Sequence, residues 1–248
     1  MNIPLVQRIF GANKPFVLFH THSATRETIG RAIVSDKSMD LDICVDEFGT
    51  PYLGHSSEYY RKSGEVQPET MPFEEAIELV SKAKIPVIVD CKHYDAWAPV
   101  ENAIRNIGAH RCLVHSFAAE LKFGYRKSNQ DYITEWSPIR KLTEIKNKFP
   151  LATITASCKF LPNDLLLSSQ YQELLIRICE VAKNNKIDTV CLNVPDNTVS
   201  DEIVDFFLKE NIIPHIRIDD IDVSRLSKLF IGETDILEKA SDSMLLGY

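Results

Sequence analysis

The sequence predicts an α/β fold, a single-domain (β/α)8 TIM barrel over residues 1–248, and three observations lead there. Short apolar runs alternate with segments of helical period, the pattern of βα units around a parallel sheet. Eight such runs fit within 248 residues, and one closed barrel of this kind takes about 250. No glycine-rich phosphate loop follows the first run, so the open doubly wound sheet is the weaker alternative.

The strands are expected at 15–20, 39–45, 85–91, 111–117, 151–156, 188–194, 212–218 and 234–237. Each is a short run rich in β-branched and aromatic residues. Helices are expected at 72–83, 98–107, 138–148, 164–184, 200–210 and 223–230. The first of these has Pro72 near its start, where a missing N–H costs nothing, and Phe73, Ile77, Val80 and Lys84 trace one face. The polar stretch after His55, SSEYYRKSGEVQPET, reads as a loop.

Composition narrows the function. The net charge of −7 with no basic run argues against nucleic acid as the main partner. No apolar stretch approaches the roughly 18 residues of a membrane span, and MNIPLVQRIF lacks a signal-peptide pattern. The six cysteines include no C-x-x-C pair and fall mostly in or beside expected strands, as reduced core residues would. A cytoplasmic protein is expected.

The chemistry concentrates in DLDICVDEFGTPYLGH, residues 40–55. Asp40 and Asp42 sit two apart in a strand, so both carboxylates project from one face. Two carboxylates held side by side repel unless a cation lies between them. An acidic turn (Asp46, Glu47, Gly49), a short extended piece and His55 follow. A metal seat and a proton carrier on one connection point to a hydrolytic site. The plain alternative is a half-exposed strand with two solvated aspartates.

The same residues resemble the signature of the glycerophosphodiester phosphodiesterase family, relatives of the phosphatidylinositol phospholipase C barrels. That family's second strand reads E-x-D, followed by D-G and then a histidine. Asp40, Asp42, Gly49 and His55 fall in those places, with Asp40 standing for the glutamate. His20, ending the first strand, matches the family's other proton-moving histidine, although Thr21 replaces the arginine that follows it there. In IPVIVDCK, Asp90 and Lys92 match the family's I-E-I-K. The resemblance implies one divalent cation, Mg²⁺ or Ca²⁺, held by Asp40, Asp42 and Asp90, since three carboxylates suit a hard ion. It also implies Lys92 as a phosphate-binding charge and His20 and His55 as the acid–base pair. The seventh strand lacks the family's tryptophan and carries Arg217, which could stand in for the missing arginine as a substrate-binding residue. The expected substrate is a small glycerophosphodiester-like molecule.

Two other readings stay open. His20-Thr21-His22 forms H-x-H, which resembles zinc-type barrel hydrolases, with His93, His115 and His215 as further ligands. The departures at Thr21, Asp40, Ser56 and Asp90 also fit a barrel of the same family that has lost activity.

Overall fold

The computed structural model describes residues 2–21, 24–116, 120–125, 132–136, 139–159, 171–193, 201–217 and 229–247. In chain order the elements are α1 (Leu5–Ala12), β1 (Phe16–His20), α2 (Arg26–Val34), β2 (Met39–Val45), β3 (Pro51–Leu53), α3 (Ser57–Ser63), α4 (Phe73–Ala83) and β4 (Val87–Cys91). There follow α5 (Trp97–Ile107), β5 (Cys112–Ser116), β6 (Glu120–Tyr125), β7 (Tyr132–Trp136), α6 (Ile139–Lys148) and β8 (Thr153–Lys159). The last are α7 (Tyr171–Asn184), β9 (Thr189–Asn193), α8 (Asp201–Lys209), β10 (Ile213–Arg217) and β11 (Ile231–Thr234).

Eight strands pair in parallel in the order β1-β2-β4-β5-β8-β9-β10-β11, and β11 pairs back onto β1, which closes the barrel. This is the (β/α)8 architecture expected. Strand alternation divides the apolar residues into two cores. Val17, Met39, Leu41, Ile43, Val87, Val89, Val114 and Ile154 face outward and share one core with the helices. Phe16, Leu18, Ile88, Leu113, Ile213 and Ile231 face inward and share the second core with Leu5, Val6 and Ile9 of α1. Because these inward residues lie at or near strand starts, α1 closes the N-terminal end of the barrel. The backbone N–H of Val6 also donates to Thr153 Oγ1 inside the barrel, at 2.9 Å.

Several expectations need correction. The eighth strand is Ile231–Thr234, not 234–237. Its register is set by Ile231 opposite Phe16, and Phe230 and Ile231 are fully buried whereas Ile236 is exposed. Of the helix expected at 223–230, residues 229–230 are not helical, and 223–228 lie outside the described residues, as do 164–170 of the helix expected at 164–184. The stretch after His55 contains α3, with Ser56 accepting from the Tyr59 N–H at its start and Gly64 closing it at φ 74°. The antiparallel pair β6–β7, unanticipated from sequence, lies between β5 and α6, and β6 extends the sheet beside β8.

Truncating the barrel plug tests this arrangement. Ile9→Ala is expected to cost about 2–5 kcal/mol, since Ile9 is fully buried against the inward core. Urea unfolding of the variant against the wild type measures it. A change below about 1 kcal/mol would show that α1 is not part of the barrel's packing.

Candidate active site at the strand ends

The inward positions become polar towards the C-terminal ends of the strands. Above Leu18 stands His20, above Ile88 stands Asp90, above Leu113 stands His115, above Ile213 stands His215, and above Ile231 stands Glu233. β2 contributes Asp40 and Asp42. All are buried or nearly so. The register puts His20 opposite Asp40, Asp42 opposite Asp90, and Asp90 opposite His115. The alternation that buries one apolar layer thus places the next layer of side chains in a common space, at the barrel end where active sites of this fold lie.

His20 Nδ1 lies 2.5 Å from Asp40 Oδ2. The Thr21 hydroxyl donates to the backbone carbonyl of Asp40. Lys92 Nζ donates to Asp90 Oδ2 at 2.6 Å and lies 3.2 Å from Asp42 Oδ1. His115 Nδ1 approaches the same Asp90 oxygen at 3.0 Å.

His55 arrives by a separate route. Asp46 Oδ1 accepts from the N–H groups of Phe48 and Thr50, so the acidic turn is a structural β2–β3 connection rather than part of the site. β3 then runs back along β2, and the Gly54 N–H donates to the Asp42 carbonyl at 2.8 Å. Gly54 has φ 125°, and a Cβ there would come within 3.2 Å of the Tyr60 hydroxyl, so glycine alone suits this corner. The His55 ring stacks on Tyr59 of α3 with centroids 4.1 Å apart, and its Nε2 lies 3.2 Å from Asp42 Oδ2.

Electrostatics reflect the crowding. Burial pulls the His20 imidazole down, but Asp40, then Asp42 and Glu233, raise it to about 10. Burial and then Asp42 push the Asp40 carboxyl up to about 7 against the pull of His20. Burial raises Asp90, but His115 and Lys92 hold it below the usual carboxylate range. Burial opposes the charge on Lys92, yet Asp42, Asp90 and Asp40 hold it well above the ordinary lysine value. Burial lowers His55, with Lys92 and His20 adding to the effect and Asp42 opposing it.

Oxygen donors of Asp40, Asp42 and Asp90 lie within 4.8 Å of one another. Asp40 Oδ1 and Asp90 Oδ1 are buried without a hydrogen-bond donor among the described residues, and the two Asp42 oxygens make ion-pair contacts with Lys92 and His55 but no hydrogen bond. Buried carboxylate oxygens are costly to leave unsatisfied. An all-oxygen donor set with spare lone pairs fits a hard divalent cation such as Mg²⁺ or Ca²⁺.

The structure therefore brings together His20, Asp40, Asp42, His55, Asp90 and Lys92. Arg217 is the last residue of β10, opposite Glu233 in register, and its side chain lies outside the described residues, as does His22. His93 is half-exposed beside Asp95 at the surface. Sequence reading passed over Glu233, whose carboxylate pairs with His215 Nε2 at 2.8 Å and lies close to His20 and Asp40. The available signal was an acid between apolar strand residues, hidden by placing the strand three residues late.

No family model matches the sequence, and no curated protein matches it. Solved structures do share the barrel. A glycerophosphodiester phosphodiesterase from Parabacteroides distasonis ATCC 8503 aligns with a TM-score of 0.57 at 12% identity, over 94% of this chain and 97% of its own. A protein described as a glycerophosphoryl diester phosphodiesterase, from Agrobacterium tumefaciens str. C58, gives 0.59 at 10% identity over 91% and 95%. N-(5'-phosphoribosyl)anthranilate isomerase from Pyrococcus furiosus gives 0.52 at 15% identity over 93% and 94%. At such identities the likeness is one of fold, shared with barrel enzymes of more than one chemistry.

Lys92 is the cation on which the cluster leans, so Lys92→Met is expected to destabilise the metal-free protein by about 3–5 kcal/mol, the penalty for leaving buried carboxylates uncompensated. Chemical denaturation in the presence of a chelator reads this directly. An unchanged stability would mean that Lys92 does not offset Asp42 and Asp90.

Proposed function

We propose that this chain is a metal-dependent phosphodiester hydrolase acting on a small glycerophosphodiester-like substrate, built as a single barrel domain over residues 1–248 and working in the cytoplasm. The observation that carries the reading is the face shared by Asp40, Asp42 and Asp90. Their buried carboxylates converge beside Lys92, with Asp40 Oδ1 and Asp90 Oδ1 lacking a hydrogen-bond donor among the described residues, while His20 and His55 reach the group from two separate connections. The likeness to the two phosphodiesterase barrels supports it at the level of fold. Among the described residues, no helix is long and apolar enough to cross a membrane. Cys44, Cys91, Cys112 and Cys179 are buried free thiols, as the cytoplasmic reading expects.

Asp40, Asp42 and Asp90 would hold one Mg²⁺ or Ca²⁺, which when bound supplies Lewis-acid polarisation of a phosphoryl oxygen. Lys92 offers a positive charge to a nonbridging oxygen of the diester. Asp40 fixes the orientation of the His20 ring through Nδ1, and Tyr59 and Gly54 fix that of His55. Hydrolysis of a diester removes a proton from the attacking water and delivers one to the departing ester oxygen, while the other ester oxygen stays bonded to phosphorus. Two histidines delivered by independent connections meet both, one accepting a proton and the other donating one. Arg217, at the mouth end of β10, is proposed as a further contact to substrate.

Two outcomes are expected. Mg²⁺ or Ca²⁺ at a hundred times its dissociation constant should stabilise the wild type by about 2.7 kcal/mol, and Asp42→Asn should lose that gain, as followed by thermal denaturation. A gain that survives Asp42→Asn would remove the cation from this triad. In assays of glycerophosphocholine, glycerophosphoethanolamine and bis(p-nitrophenyl) phosphate, the metal-loaded wild type should turn over, and His20→Ala and His55→Ala should each lower kcat by about 10²–10⁴-fold. No turnover of any of the three would favour the inactive-barrel reading, and active histidine variants would end the proton-transfer assignment.

A further inference from the structure

The triad of Asp40, Asp42 and Asp90 does not use every donor at the strand ends. β1 lies between β2 and β11 in the barrel, so His20 has an acid on each neighbouring strand, Asp40 on one side and Glu233 on the other. Donor atoms of His20, Asp40 and Glu233 also lie within 4.8 Å of one another. Asp40 belongs to both triads. It is 2% exposed, its Oδ2 is engaged by His20, and its Oδ1 has no hydrogen-bond donor among the described residues. Glu233 is held in place by His215, itself fully buried behind it. A ligating carboxylate fixed by a buried partner is a common feature of built metal sites.

We propose that His20, Asp40 and Glu233 form a second cation site, sharing Asp40 with the first, so that four consecutive strands, β11, β1, β2 and β4, carry two adjoining metal seats. The donor sets differ. One imidazole with two carboxylates suits Mn²⁺, Fe²⁺ or Zn²⁺, whereas three carboxylates suit Mg²⁺ or Ca²⁺. Shared use of Asp40 makes the two sites neighbours rather than independent.

The second site has a consequence for catalysis that rests on the proton-transfer role of His20 proposed above. A ring nitrogen bound to a cation can no longer carry a proton, so filling this seat inhibits the enzyme. The binding claim stands apart from that role.

Equilibrium dialysis with Mn²⁺, together with electron paramagnetic resonance, tests it on the full chain. The wild type should bind two equivalents and show the spectrum of a spin-coupled pair. Glu233→Gln and Asp90→Asn should each bind one and show an isolated ion. Should Glu233→Gln fail to fold by circular dichroism, Glu233→Asp replaces it, with the second equivalent weakened at least tenfold and the first unchanged. One equivalent in the wild type that survives Glu233→Gln, or two retained without the Glu233 carboxylate, would overturn the second site. Loss of the first equivalent is read separately in Asp90→Asn, so failure there strikes the phosphodiesterase reading and not this one.

Discussion

Four carboxylates held out of water at one end of a barrel must find positive charge, and the polar interior of this protein is arranged around that need. Asp40, Asp42, Asp90 and Glu233 are each met by a base: His20, His55 with Lys92, Lys92 with His115, and His215 respectively. Burial makes each pairing stronger and each missing partner costlier. Even so, Asp40 Oδ1 and Asp90 Oδ1 remain without a hydrogen-bond donor among the described residues. The protein bases engage one oxygen each of Asp40 and Asp90 and leave the other open, within reach of the Asp42 carboxylate, which is an arrangement a bound cation would complete.

The barrel supplies this economically. Strand alternation sends every second residue inward, so the apolar layer sealed by α1 and the polar layer above it come from the same strands. Register fixes which acid meets which base, as with Asp42 opposite Asp90 and Asp90 opposite His115. Only His55 is independent of the parallel barrel. Its position depends on the Asp46 turn, the short β3 hairpin and the aromatic support of α3, so the two candidate proton carriers are held by unrelated parts of the fold.

Much of this was legible in sequence because it depends on a period of two. D-x-D at 40–42 and D-x-K at 90–92 declare their shared faces without any tertiary information, and the eight apolar runs declare the barrel. What escaped depended on boundaries and on partners distant in sequence. The eighth strand begins at Ile231 because its register follows Phe16, more than two hundred residues away, and the three-residue error removed Glu233 from view. α3 reads as loop because Tyr60 is its one buried residue. α1 is short, and what stabilises it is the barrel end it covers, which no local pattern reveals. His115 resembles an ordinary core histidine until Asp90 is seen beside it, 25 positions back in the chain.

The most direct measurement is a crystal structure of the protein grown with Mn²⁺, with anomalous differences collected at the manganese edge. The expected result is a peak bounded by carboxylate oxygens of Asp40, Asp42 and Asp90 at about 2.0–2.6 Å, the range for ions of this kind. A map with no peak among those three residues, or with its peak at His20 and His22 instead, would contradict the proposal that this barrel was built around a cation held by its second and third parallel strands.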